Sequence, residues 1–248
     1  GTSHKEFRLS SSEAENLIKE LPDVYDEPFG DNSAVSTLML SRLVSKEVKV
    51  VLSADGGDEL FGGYDYYRKL PSDFNFFVRF PEAAKKLLAG AEKIIARPGL
   101  QNNINSFACS RLKKFLRNAA QIVQSCRAPS SGNFYRFMRA NWQPYEISNL
   151  LGDYHEKRFS LDDLPDNLSL VEKMMAWDLF YYIPDDILTK VDRATMSTGL
   201  EGRDPFLDHR VIEMALQLPE SMKIRNKESK SVLRCLLSRH IPSELFER

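Results

Sequence analysis

The segment DNSAVSTLMLSRLVSKE carries Val35, Leu38, Met39 and Leu43 at the spacing of a helix with one buried face, and Asp31 to Ser33 supply capping side chains at its start. It leads directly into VKVVL, residues 48–52, an apolar β-branched run that predicts a strand buried on both faces. Helix, short connection and buried strand together predict an α/β fold with a parallel sheet. Upstream, KEFRL at 5–9 reads as a further strand, and Ser12 with Glu15 has the spacing of a capping box that opens a helix. Over 71–165 the period turns helical: PEAAKKLLAGAEKIIA, SFACSRLKKFLRNAAQIV and NFYRFMRANW are separated by the loop signals RPG and RAPSSGN.

From 166 onward the signals are denser. LVEKMMAWDLFYYI predicts an amphipathic helix, and Pro184 is placed to open the next one, DDILTKVDRATMST, which stops at Gly199. Glu201, Arg203, Asp204 and Asp208 then crowd a short turn around Pro205, with Asp208 as the cap of the helix HRVIEMALQL. Lys227, Lys230 and Arg234 fall near the start of a last helix in NKESKSVLRCLLSRHIP. The expected organisation is therefore an α/β portion at 1–70, a helical section at 71–165 and a helical carboxyl-terminal part at 166–248.

Composition narrows the function classes. A chain of 248 residues, 42% of them hydrophobic, can bury a sizeable core. Its 34 basic and 35 acidic residues nearly cancel, so no long-range field steers the molecule to nucleic acid or to an anionic membrane. A local basic bias at Lys113, Lys114, Arg117, Arg136 and Arg139 reads as solvated helix faces. No apolar run approaches the roughly 20 residues of a membrane span. Cys109, Cys126 and Cys235 are odd in number and lack zinc or disulfide spacing, which fits reduced thiols and a cytoplasmic setting.

The candidate chemistry lies where VKVVL ends. SADGGDE packs Asp55, Asp58 and Glu59 around Gly56 and Gly57 at the carboxyl end of a strand, the place where open α/β sheets bind ligands. Glycines there permit backbone conformations and close approach that a side chain forbids. Carboxylates there suit a hard cation such as Mg²⁺ shared with phosphate oxygens. Asp58 and Glu59 also suit the first turn of a helix, where a carboxylate faces the helix dipole.

VVLSADGGDELFGGY, PDDILTKVDRATMSTGLEGRDPFLDHRVIE and SKSVLR resemble, in order and spacing, the synthetase domain of the glutamine-hydrolysing asparagine synthetases. The resemblance implies an adenine nucleotide alpha hydrolase-like (Rossmann-like) sheet with helices around it. It also implies a ligase that uses ATP to activate the aspartate side chain as β-aspartyl-AMP, which ammonia from glutamine then converts to asparagine. By the same resemblance Ser53, Ala54, Gly56, Gly57 and Asp58 hold ATP, with Asp58 as the Mg²⁺ ligand. Asp55 stands where the family usually has glutamate and handles the proton of incoming ammonia, and Ala54 replaces a usual glycine. Lys230 reaches the phosphates, and Glu201, Arg203 and Asp204 shape the aspartate and ammonia end.

The family's glutaminase domain and its pyrophosphate loop, serine-glycine-glycine-x-aspartate-serine, have no counterpart in these residues. The expectation is a piece of a longer synthetase, inactive alone, whose partners are the missing amino-terminal domain and, as an open option, a second copy in a homodimer. Relatives of the same domain adenylate other carboxylates, in β-lactam or cell-surface polysaccharide synthesis. A catalytically inactive binding module is the remaining alternative.

Overall fold

The computed structural model describes residues 3–79, 81, 83, 131–140, 147, 150–152, 160–226 and 228–246. The helices expected over 81–96 and 106–123, and with them Lys113, Lys114 and Arg117, lie almost wholly outside the described residues, as does Lys227. The chain divides into two compact units, one formed by 1–63 and 175–248, the other by 64–174. Both are predominantly helical, and the described sheet is a single parallel pair in the first unit.

In the first unit, helix α1 (Ser11–Val24) starts two residues before the expected position, because Ser10 rather than Ser12 forms the capping box. Glu13 N–H donates to Ser10 Oγ (3.3 Å), and the Glu13 carboxylate accepts from Ser10 N–H (2.9 Å). The run Ser10 to Ser12 offers the same spacing twice, and the earlier start gives the helix a longer capped first turn. Residues 5–9 do not form the expected strand. Instead Leu9 packs beside Leu21, Val24, Val35 and Met39 around Leu17, Leu38 and Ala194. That cluster joins α1 to α2 (Ala34–Val44), whose buried Ala34, Leu38 and Ser41 fall at helical spacing.

Each of two helices delivers a strand. Helix α2 leads to β1 (Val50–Leu52), which is followed by the short helix α3 (Gly57–Phe61). In the second unit, α4 (Asp65–Val78) and α5 (Ser131–Arg139) pack through Phe74 and Phe134, with ring centroids 5.0 Å apart. Helix α6 (Leu170–Trp177) then runs without a break into a π-helix (Asp178–Leu188) and α7 (Thr189–Met196). Pro184 therefore sits inside the π-helix instead of opening a helix. The wider π turn tolerates a residue that lacks the N–H and crowds the preceding turn, and Thr189 Oγ1 donates to the Pro184 carbonyl (2.8 Å).

Helix α7 leads to β2 (Glu201–Arg203), which pairs parallel with β1 in the register Val50 to Glu201, Val51 to Gly202 and Leu52 to Arg203. The strand is shorter and more open than the sequence predicts: Val48, Val50 and Leu52 are exposed. Among the described residues β1 has one strand neighbour; its Val51 is half-buried, while Val50 and Leu52 on the other face are exposed. A second core forms where α3 meets α8 (His209–Gln217) and α10 (Ser231–Leu237), with the short α9 (Glu220–Lys223) between them. Leu60, Phe61 and Ala215 are buried there against Phe206, Ile212, Val232 and Leu233.

Candidate functional site

The parallel register places the residues that follow β1 and β2 side by side. Ser53 N–H donates to the Arg203 carbonyl (2.9 Å) and Glu201 N–H to the Lys49 carbonyl (2.9 Å). Glu201 and Arg203 therefore belong to a strand rather than to the turn expected from sequence, because their backbone is taken up by the ladder; the turn begins at Asp204. The chain then leaves β1 through Ser53, Ala54 and Asp55 into α3. Gly56, at φ 86°, adopts a left-handed conformation that disfavours other residues, and a Cβ there would overlap Leu207. A Cβ on Gly57 would come within 3.3 Å of Phe206. The two glycines thus let the PFL turn close over the start of α3.

Asp58 lies in the first turn of α3, as the sequence allows for a carboxylate facing a helix amino terminus. Its Oδ1 is 2.9 Å from Lys230 Nζ, with both side chains about one third exposed (36% and 34%). The core explains the meeting: Leu60 and Phe61 on α3 pack against the cluster that includes Val232 and Leu233 on α10, and Lys230 immediately precedes α10. Lys230 has φ 54° and ψ 34°, a left-handed conformation that costs a non-glycine residue about 1 kcal/mol. Glu59, beside Asp58, is buried at 1% exposure, where a ligand has little access.

A second group surrounds Ser53. Its hydroxyl donates to Asp55 Oδ2 (2.5 Å). Burial first, and the charge of Asp55 second, push the Asp204 carboxyl above the usual carboxylate range, with the Ser53 hydroxyl acting in the opposite direction. Asp204 Oδ1 is buried without a hydrogen-bond partner. Arg203 pairs with Glu201 (Nε to Oε1, 2.8 Å) and not with Asp204, and this pair is open to solvent. Asp208 caps α8 by accepting from Arg210 N–H (2.9 Å) and holds the Arg210 guanidinium in a two-point contact; these contacts put its carboxyl well below the usual range.

Seven of the ten candidate residues thus fall into three arrangements: the Asp58–Lys230 pair, the Ser53–Asp55–Asp204 group and the exposed Glu201–Arg203 pair. Ala54 and the two glycines form the connecting backbone, where the Ala54 carbonyl accepts from Gly57 N–H (3.2 Å). Among the described residues, no group of three or more His, Cys, Asp or Glu side chains gathers as a cation cage.

Sequence reasoning missed two polar links. Lys190 Nζ reaches Asp31 Oδ2 (2.6 Å) with both side chains largely buried, and Arg193 reaches Asp26 (2.7 Å). The acids crowded into YDEPFGDNS were the available signal. Arg193 also lines an open cavity of about 500 Å³ with Thr189, Asp192, Thr195, Glu201 and Asp204. Acidic groups lining such a cavity suit a ligand carrying an ammonium group, and an arginine suits a carboxylate.

Comparisons with known proteins agree with the resemblance. The chain is 28% identical over 238 residues to asparagine synthetase [glutamine-hydrolyzing] 1 of Bacillus subtilis, covering 94% of this chain and 35% of that protein. It is 29% identical over 241 residues to a putative asparagine synthetase [glutamine-hydrolyzing] of Mycobacterium bovis, covering 95% and 34%. A shorter stretch of 79 residues is 44% identical to a putative asparagine synthetase [glutamine-hydrolyzing] of Methanocaldococcus jannaschii, covering 28% of this chain and 15% of that protein. The chain spans about a third of the length of the first two relatives. No solved structure matches it. The family model described as asparagine synthase matches residues 1–248, from one end of the sequence to the other, and the chain belongs to that family.

Proposed function

We propose that these residues form the ligase part of an ATP-dependent amide-forming enzyme that adenylates the side-chain carboxylate of aspartate and hands the acyl group to ammonia derived from glutamine. A carboxylate oxygen attacks the α-phosphorus and pyrophosphate leaves; ammonia then attacks the acyl carbon, and AMP departs with the carboxylate oxygen. The observation that carries this reading is the Asp58–Lys230 pair, held at 2.9 Å beyond the carboxyl end of a parallel strand. A hard carboxylate and a mobile cation at such a place are the charge set that a metal-bound polyphosphate needs.

The residues fit the implied groups. Ser53 and Ala54 would hold the adenosine of ATP, and Lys230 its phosphates. Asp58 would hold Mg²⁺ through its carboxylate, a hard anionic oxygen donor suited to a hard cation. The cation's contribution is charge neutralisation at the phosphates. Lys230 stabilises the negative charge that moves onto the leaving pyrophosphate. Asp55, kept in place by Ser53, takes a proton from the attacking ammonia, and Asp204, Glu201 and Arg203 shape the acceptor end. The adenine nucleotide alpha hydrolase-like architecture belongs to the same proposal, supported by the parallel pairing and by ligand-directed residues at the strand ends.

The test is aspartate-dependent pyrophosphate release by the full-length protein. Asp58→Asn, which removes the anionic metal ligand without changing shape, abolishes it; release at the unsubstituted rate contradicts the assignment.

A further inference from the structure

Gly63 stands out among the glycines around the site. Gly56 and Gly62 have φ of 86° and 67°, so their backbone alone calls for glycine. Gly63 lies outside that region, so its φ does not call for glycine. What it lacks room for is a side chain. A Cβ built on Gly63 would overlap the Asp58 carboxylate and Cε of Lys230, and nothing else lies as near. The Gly63 N–H meanwhile donates to the Asp58 carbonyl (2.8 Å), which fixes the Gly63 backbone against α3.

We infer that Gly63 is a positioning residue: its bare Cα is the floor on which the Asp58 carboxylate and the Lys230 ammonium meet. The inference gives Gly63 a role in the proposed phosphate site and rests on that reading for its purpose, though not for its geometry. Both overlapping groups are the ends of flexible side chains, which rotate at little cost, whereas the Gly63 backbone is tied to α3. A methyl group at 63 therefore separates the pair rather than dismantling the helix. Lys230 then loses the contact that opposes its left-handed strain, and the cation leaves the place where it faces Asp58.

The pair is read directly, without nucleotide, by the side-chain ¹³Cε resonance of Lys230 in the 248-residue chain, assigned through its loss in Lys230→Arg. At pH 7 Asp58→Asn is expected to displace that resonance, because the carboxylate no longer faces the ammonium. In a Gly63→Ala background the same Asp58→Asn change is expected to leave it in place, and a Gly63→Ala chain in which Lys230 still responds to Asp58→Asn overturns the inference. Stability gives a second, independent reading. Gly63→Ala is expected to shift the unfolding equilibrium about twofold toward the unfolded state in the otherwise unsubstituted chain, the scale of the partly exposed pair it separates. In a background carrying both Asp58→Ala and Lys230→Ala it is expected to cause no such loss, since an alanine that fits a glycine's place is neutral or stabilising. Equal shifts, or failure to fold in both backgrounds, would mean that the backbone itself requires glycine and would overturn the inference. Adding inorganic pyrophosphate with Mg²⁺ to the full-length protein, observed through the same resonance, separates the two claims. A Lys230 resonance that responds to Asp58 but not to pyrophosphate leaves Gly63 its role and contradicts the phosphate reading.

Discussion

Lys230 is held in a conformation its residue type disfavours, so replacing it separates stability from activity in a way that ordinary loss of a contact does not. The Asp58–Lys230 pair is about one third exposed on both sides, and screening leaves such a pair about 0.5 kcal/mol. Lys230→Ala removes the pair and keeps the left-handed strain, so it lowers stability by about 0.5 kcal/mol. Lys230→Gly removes the same pair but also relieves about 1 kcal/mol of strain, so it comes out more stable than the alanine variant by about 1 kcal/mol. For a chain of this size that difference is about 2 to 4 °C in Tm. Both variants lose the cation and are expected to release pyrophosphate about 10² to 10³ times more slowly in the full-length protein, the scale of one preorganised electrostatic donor. Urea denaturation followed by tryptophan fluorescence measures the first effect, and a coupled pyrophosphate assay the second. Equal stability of the two variants would refute the strain at Lys230, and a glycine variant that keeps its rate would refute the phosphate role.

Further outcomes follow from the titrating groups. Asp204 has its carboxyl raised by burial and by Asp55, so the folded state favours its protonated form: stability is fully present below the unfolded pKa and is lost as pH rises through the folded one. Asp204→Asn should therefore raise Tm at pH 7 and make no difference at pH 3; equal gains at both pH values contradict the shift. Asp31 behaves in the opposite sense: burial raises its carboxyl, but Lys190 and the Ser33 N–H and hydroxyl together hold it below the usual range. Its contribution is present above the unfolded pKa and is lost as pH falls through the folded one. Lys190→Met, which leaves Asp31 largely buried and without its cation, should cost about 2 kcal/mol at pH 7, and thermal unfolding at pH 7 and pH 3 should show that cost shrinking with acid.

The legible parts of the sequence were those governed by local rules. The helical spacing of Leu38 and its neighbours, the strand at Val50, the cap at Asp208 and the glycine need at Gly56 all depend on residues within one or two turns of each other. Where a local rule had two solutions, sequence chose wrongly. Ser10 and Ser12 are equally good caps, and the longer helix takes the first. Pro184 reads as a helix start because proline suits that position, yet a π-helix takes it in its interior. KEFRL alternates like a strand, but a strand needs a partner, and packing of Leu9 on Leu17, Leu38 and Ala194 took precedence. The site divides in the same manner. The motif identified Asp58 and Lys230 individually, while their contact, and the reason Gly63 must be bare beneath it, depend on how α3 and α10 pack around Phe61 and Leu233. Such a contact has no signature in spacing along the chain.

The central claim is that a carboxylate is activated by transfer of AMP, and oxygen tracing tests it most directly. Full-length protein is supplied with aspartate bearing ¹⁸O in its side-chain carboxylate, together with ATP, Mg²⁺ and ammonia, and the nucleotide products are analysed by mass spectrometry. The account predicts one ¹⁸O atom in AMP for each amide formed, with pyrophosphate unlabelled, and loss of labelled AMP in Asp58→Asn and Lys230→Ala. Label appearing in inorganic phosphate alongside ADP, or amide formed with no label in AMP, would contradict it.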